Sequence, residues 1–151
     1  MTVEEAINKR KSIRRYKDEP VTLDEIRKLI EVGRKVPSAG GVHPLVIYSI
    51  EDKETKDKLC EAALNQECIR QAPVVLVVAA DLIKMRGRYS RGGRGDRYCY
   101  MEAGHAGQNI SLMAISLGLG CVMIGAFSDA RVKEVLGINE DPLYLIPVGR
   151  V

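Results

Sequence analysis

The sequence predicts one layered α/β domain, 151 residues built around a sheet of about four strands. Three observations predict it. Helix-type and strand-type periodicities follow one another as helix, helix, strand, helix, strand, helix, strand, helix, strand. The run Pro73–Ala80 (PVVLVVAA) is continuously apolar over a strand's length, the pattern of a central strand covered on both faces. No internal repeat and no linker interrupts the chain.

The elements follow in order. Thr2 and Glu5 form a capping box, so a helix is expected from about Val3 to Lys11. A second box, Thr22 with Glu25, opens a helix on which Leu23, Ile26, Leu29, Ile30 and Gly33 recur at helical spacing up to about Val36. Pro37-Ser38-Ala39-Gly40-Gly41 breaks it into a loop. Val46–Ile50 reads as a strand and Glu54–Ile69 as a helix. Met85–Arg97, rich in Gly and Arg, reads as a loop. Tyr100–Leu117 is a long apolar helix stopped at Gly118 and Gly120. Cys121–Ala126 (CVMIGA) reads as a strand. Ser128 caps a short helix ending at Leu136–Gly137, and Leu143–Gly149 is the last strand.

Composition narrows the functional classes. Hydrophobic residues are 46% and charged residues 28%, ordinary values for a soluble globular chain. No apolar run reaches the ~20 residues of a membrane span, and Met1–Glu5 does not open an apolar leader, so a cytoplasmic location without a membrane partner is expected. Cys60, Cys68, Cys99 and Cys121 form no C-x-x-C pair and read as reduced, packed thiols. With only two histidines, no metal site is expected.

Charge is the informative feature. The net charge is +3, yet Lys9–Lys17 carries +6 and Lys84–Arg97 carries +5, leaving −8 on the rest. Two basic islands on an acidic body suggest two local anion sites. If the first helix continues to Tyr16, Arg10 and Arg14 lie four apart on one face and repel unless an anion sits between them. Arg–phosphate hydrogen bonds are worth roughly 1.5–3 kcal/mol each, and Ser12 adds a hydroxyl donor. A solvated basic face is the plainer alternative. Pro37–Gly41 is a second candidate, because small residues let a flat ligand or a phosphate approach the backbone. A helix end followed by a turn explains it equally well.

Taken together, these stretches resemble the nitroreductase family. Arg10-Lys11-Ser12-Ile13-Arg14 followed by Pro37-Ser38-Ala39-Gly40 is similar to its opening motifs. Glu102–Gly120 resembles its central helix, Val122–Phe127 the strand that edges the flavin, and Pro142–Arg150 its closing strand. PSAGGVHPLVIY, RYCYMEAGHAGQN and GAFSDARVKEVLG resemble one subgroup, the dehydrogenases of azoline rings in thiazole- and oxazole-containing peptides.

The resemblance implies an α+β, three-layer fold with a mostly antiparallel sheet, one FMN-binding domain over residues 1–151. It implies FMN as cofactor and NADH or NADPH as a transient hydride donor. It also implies a small-molecule acceptor and a homodimer with flavin at its interface, Tyr100–Leu117 being an interface element. Arg10 and Ser12, with Lys11 beside them, would hold the FMN phosphate, and Arg150 would close on it. Arg14 would reach the pyrimidine edge, where a cation stabilises reduced flavin. Pro37, Ser38, Ala39 and Gly40 would line the ring, His43 near them. Met123, Ile124, Gly125 and Ala126 would edge it, with Gly125 and Ala126 offering backbone N–H groups to the hydride-accepting nitrogen. Gln66 or Asn65 would touch the pyrimidine. Chemistry centred on flavin needs no catalytic side chain. Departures are visible: Gly41, His43 and Leu45 stand where the family often has Asn, Gln and Trp. Met123 and Gly125 stand where Pro and an acidic residue are frequent. The chain ends at Val151, before the longer tail that embraces a second subunit in many members.

The remaining polar residues have bland explanations. His43 beside Pro44 reads as a surface turn residue or a donor to flavin. His105 reads as packed or capping. Glu102 could be a general base, but an acid in a helix's first turn is favoured by the dipole anyway. Met85–Arg97 lacks stacking aromatics beyond Tyr89 and Tyr98, so no nucleic-acid partner is expected and a lid beside the cofactor is preferred. No G-x-G-x-x-G follows a strand, so a nicotinamide cofactor would bind transiently over the flavin. A non-catalytic flavin carrier is the alternative function.

Overall fold

The computed structural model describes all 151 residues. Helix α1 spans Val3–Lys9, α2 Leu23–Arg34, α3 Lys53–Ala62, α4 Glu67–Gln71, α5 Leu82–Arg88, α6 Arg94–Ser116 and α7 Asp129–Leu136. The strands are β1 Leu45–Ile50, β2 Val74–Ala80, β3 Leu119–Cys121 and β4 Asp141–Arg150. The sheet order is β1-β2-β4-β3 and every pair is antiparallel. The fold is therefore α+β, with the predicted four strands and an antiparallel sheet.

Every residue of β2 is buried, which is why its apolar run never alternates. Its two faces lead into two cores. Val74, Leu76 and Val78 pack with Ile26, Leu29 and Ile110 under α2 and α6. Val75 and Val77 pack with Leu59, Ile69, Val132 and Leu145 under α3, α4 and α7. A smaller cluster of Leu82, Met85 and Cys99 joins α5 to α6. No helix is long and apolar enough to cross a membrane.

Both predicted capping boxes are present, at Thr2 and Thr22. Ser128 caps α7, and Gly137 ends it with φ 63°. Four boundaries differ from the sequence expectation. Helix α1 stops at Lys9, because Ile13 donates its N–H to the Cys121 carbonyl and Ser12 bridges Cys121 in parallel. A sheet edge takes the segment that a lone helix would have kept. The helix expected over Glu54–Ile69 is two helices. Leu64 and Asn65 turn the chain with φ 58° and 55°, held by the Asn65 N–H on the Cys60 carbonyl.

The expected loop Met85–Arg97 is largely helical. Asp81 caps α5, Met85 and Cys99 are buried, and Arg86 forks onto Asp96 at 2.6 and 2.8 Å. The long helix therefore begins at Arg94 rather than Tyr100. The strand expected over Cys121–Ala126 keeps regular pairing only to Cys121. Beyond it, Ile124 alone exchanges hydrogen bonds with Leu145, at 2.8 and 2.9 Å.

Candidate functional site

From Arg10 to Arg14 the backbone is not helical, so its side chains alternate instead of winding. Arg10, Ser12 and Arg14 fall on one side. Arg10 lies close enough to Cys121, and Arg14 to Cys68, to act against the rise that burial imposes on those thiols. Lys11 and Ile13 fall on the other side, lining a groove with Lys9, Ile115 and Leu119. Lys11 thus faces away from the two arginines it was grouped with.

The segment is fixed by Tyr16. Its hydroxyl lies 2.7 Å from the Ile13 carbonyl oxygen and 3.1 Å from that of Pro147. Its ring lies against Gly149, where any Cβ would meet it at 2.8 Å. None of the six cations from Lys9 to Lys17 has a carboxylate partner; every ion pair of the molecule lies elsewhere.

Met123–Ala126 continues from the strand that Ser12 bridges. Ile124 is buried and Met123 half-buried, its thioether against Gly107 of α6. Gly125 and Ala126 are exposed, and neither donates its N–H to any backbone carbonyl. The Gln66 amide nitrogen donates to the carbonyls of Ala63 and Ala126 at 3.0 and 3.2 Å, tying α4 to this segment. One set of predicted residues, namely Arg10, Ser12, Arg14, Gln66 and Met123–Ala126, is therefore linked around the β3 edge. Cys121 and Gly125 are at most about 13 Å apart along the chain, so cations and free N–H groups could meet the two ends of one elongated anion.

The second set lies elsewhere. Ala39–Gly41 form a single 3-10 turn after α2, with Gly40 and Gly41 at φ 60° and 65°. The Ala39 N–H donates to Glu102 Oε1 at 2.6 Å, and the His43 N–H to Ser38 Oγ at 2.8 Å. Asn109 on α6 donates to the Val32 and Lys35 carbonyls at 3.1 and 3.2 Å, fixing the end of α2 from which the loop leaves. Arg88 and Tyr89 press on Gly40: a Cβ there would meet the Tyr89 hydroxyl at 2.8 Å.

Helix α6 stands between the two sets. Glu102 and Asn109, seven residues apart, share the face that holds α2 and the loop. Gly107, with Ser111 whose hydroxyl lies 3.5 Å from the Cys121 thiol, faces β3 and Met123. At 100° per residue, Asn109 and Gly107 are about 200° apart around the axis. Within one chain, Pro37–His43 and Arg10–Arg14 lie on opposite flanks of a helix about 10 Å across.

The expectations for Glu102 and His105 need correction, and Arg150 has a partner within the chain. The Arg150 fork is taken by Glu25, with both nitrogens at 2.9 Å from its two oxygens, so its charge is already answered. Burial raises the Glu25 pKa, but Thr22 and Arg150 outweigh it and hold the carboxyl below its ordinary value. Glu102 is not a first-turn acid, because α6 begins eight residues earlier; it is buried, and its Oε2 has no hydrogen-bond partner. Sequence reasoning placed α6's start too late to see this. A buried acid five residues before Gly107, among small residues, was the available signal. His105 is exposed rather than packed.

Comparison with known proteins follows the same lines. A family model described as the nitroreductase family matches residues 7–67 and 60–150. A protein of Methanocaldococcus jannaschii that carries a nitroreductase name is 40% identical, over 98% of this chain and 90% of its own. The FMN reductase [NAD(P)H] of Bacillus subtilis is 32% identical over 92% of this chain, which spans 59% of that longer protein. Among solved structures, the NADPH:FMN oxidoreductase of Vibrio harveyi complexed with NAD+ superposes with a TM-score of 0.87 at 27% identity. It covers 98% of this chain and 68% of its own. By the match along its length and by these relatives, the chain belongs to the nitroreductase family.

Proposed function

We propose that this protein is an FMN-dependent NAD(P)H oxidoreductase that passes hydride through bound flavin to a small organic acceptor of the nitro, quinone or azoline type. The observation that carries the reading is the unanswered cationic segment. Arg10, Ser12 and Arg14 are presented on one side of a pinned, extended backbone, next to the exposed free N–H groups of Gly125 and Ala126. The names of relatives support it: FMN reductase [NAD(P)H] in one and NADH dehydrogenase in another.

The residues present fit the cofactor. Arg10 and Ser12 hold the phosphate by charge-assisted hydrogen bonds. Arg14 lies close enough to Cys68 to act on its thiol, and its cation serves the pyrimidine edge, where negative charge develops on reduction. The N–H groups of Gly125 and Ala126 donate to the ring edge, and the Gln66 bond to Ala126 keeps that segment in place. Bound there, FMN would supply the redox chemistry that links NADH or NADPH to the acceptor. No side chain is required as a covalent nucleophile.

The loop Pro37–His43 completes the site from a second copy of the chain. Its position across α6 from the cationic segment supports this, as do the exposed apolar residues Val3 and Ile7 on α1 and Tyr100 and Met101 on α6. A two-fold contact through these helices brings one copy's loop to the other's cationic segment. Azoline rings as the acceptor rest on the three stretches that resemble the peptide dehydrogenases.

The test is spectroscopic. Protein incubated with FMN and desalted should be yellow, and NADH or NADPH should bleach it anaerobically within the mixing time of a stopped-flow instrument. Flavin that stays bound but bleaches no faster than free FMN would mark a carrier. Colourless protein would refute the cofactor itself.

A further inference from the structure

A second basic island remains beside the one assigned to the flavin. From Lys84 to Arg97 the chain carries six cations and one acid, Asp96, and Arg86 forks onto both oxygens of that acid at 2.6 and 2.8 Å. Arg88, Arg91 and Arg94 form no ion pair. Each is exposed, and a lone exposed arginine is simply hydrated. The unusual feature is that the three converge. They line one cleft of about 430 Å³, whose other lining residues are Tyr89 and Ser90. That volume falls within the range of small-ligand pockets, ~300–1,000 Å³. No carboxylate borders the cleft, so three like charges share one concavity and their fields add. Its walls are held. Tyr89 donates its N–H to the Met85 carbonyl at 2.9 Å, and its ring meets the Tyr98 ring edge-on with centroids 4.9 Å apart. Arg94 donates its N–H to the Arg91 carbonyl at 3.1 Å, and Gly92 and Gly93 turn the chain between them at φ 63° and 68°. The cleft adjoins the Pro37–His43 loop at Gly40, where a Cβ would come within 2.8 Å of the Tyr89 hydroxyl and 3.2 Å of Arg88 Nε.

We propose that this cleft binds a phosphomonoester carried by a small molecule. The choice follows from charge and geometry. A carboxylate brings one charge and two oxygens, enough for one guanidinium fork. A phosphomonoester brings a charge of about −1.5 to −2 at pH 7 and three terminal oxygens, so Arg88, Arg91 and Arg94 can each take a separate oxygen. Ser90 adds a hydroxyl donor beside them. A nucleic-acid strand fits less well. It needs a track of cations with open aromatic faces, whereas the cations here surround one hollow and Tyr89 is packed against Tyr98. The inference rests on the proposed function only in where such a phosphate comes from: it belongs either to the acceptor or to the ribose of NADPH, the group that NADH lacks.

Phenyl phosphate titrated into the 15N-labelled protein, saturated with FMN where it takes FMN up, should shift the amide resonances of Gly92, Gly93 and Arg94 saturably. Phenyl sulfate, of the same shape but with a single charge, should bind at least about tenfold more weakly. Affinity for phenyl phosphate should rise between about pH 5 and 7, as the phosphate loses its second proton near pH 6. Arg91→Met and Arg94→Met, both at exposed positions where the fold tolerates change, should each weaken it about tenfold. Tighter binding of 2′-AMP than of 5′-AMP and phenyl phosphate identifies the ribose phosphate of NADPH as the source; 2′-AMP binding no more tightly identifies an acceptor phosphate. Phenyl sulfate binding as tightly as phenyl phosphate, shifts confined to Ser12 and Gly125, or unchanged affinity in both variants overturns the proposal. The two readings fail separately. Protein that binds and reduces FMN but shows no shift at Gly92–Arg94 loses only this cleft. Protein that takes up no FMN yet shows the shift loses only the flavin.

Discussion

Arg150 is neutralised by Glu25, whereas Arg10 has no carboxylate within reach, and the two should respond differently to truncation. Arg10→Ala should weaken FMN binding by roughly 1.5–3 kcal/mol, measured by quenching of flavin fluorescence, while Arg91→Ala in the second basic island should leave it nearly unchanged. Arg150→Met should leave FMN affinity nearly unchanged and instead cost about 1–3 kcal/mol of unfolding free energy, because it leaves Glu25 Oε1 without its partner. The sign of the pH effect follows. Glu25 titrates lower in the folded chain than its ordinary value of 4.5, so its contribution is present above that value and is lost as pH falls through the depressed folded pKa. Glu25→Gln should flatten the acid limb of a stability-versus-pH curve below about pH 4.5; an unchanged limb would exclude the pair as its source. The four cysteines are all buried and their thiols are raised, Cys99 to about 11, by burial first and then by Glu102 and Asp96. Ellman's reagent should find no reactive thiol until the protein is unfolded.

Between elements, the decisive feature is the pinning of residues 10–16 along the β3 edge. Gly149 allows the Tyr16 ring to lie on β4, and Gly149→Ala would place a Cβ 2.8 Å from it. That variant should lose about 1–3 kcal/mol of stability and, by displacing the segment, bind FMN more weakly, while far-ultraviolet dichroism keeps the sheet signature. The same segment shows what the sequence could and could not reveal. Thr2, Thr22 and Ser128 announced their helices because caps are local chemistry, and β2 announced itself because both its faces are buried. The end of α1 was not legible: Lys9, Arg10 and Lys11 are adequate helix formers, and what stops the helix is Cys121, more than a hundred residues away. The helical character of Leu82–Arg88 was hidden for a related reason. Its glycine and arginines read as a loop, and only Met85 packed near Cys99 and the Arg86–Asp96 fork make a helix stable there. Within the candidate site, the basic segment and the small-residue loop were both legible as anion- or ligand-approaching stretches. Glu102 was not, because its meaning depends on a loop 63 residues earlier in the chain.

At the scale of the whole molecule, the sequence motifs that read as one site are laid out as two groups on opposite flanks of α6. A single chain then presents cations and free N–H groups at one edge and the Pro37–His43 loop across the helix. The most direct measurement is complementation between variants, each damaged in one half. Arg10→Ala removes the arginine proposed to hold the phosphate, and Gly40→Val fills the turn where Tyr89 already presses. Each alone should bind FMN poorly. Co-expressed, random pairing makes half the dimers mixed, and one of the two sites in each mixed dimer is intact, so about a quarter of sites should recover native affinity. Recovery of that fraction in an FMN titration is the predicted result; a mixture that binds no better than its two parents would contradict a flavin site shared between copies.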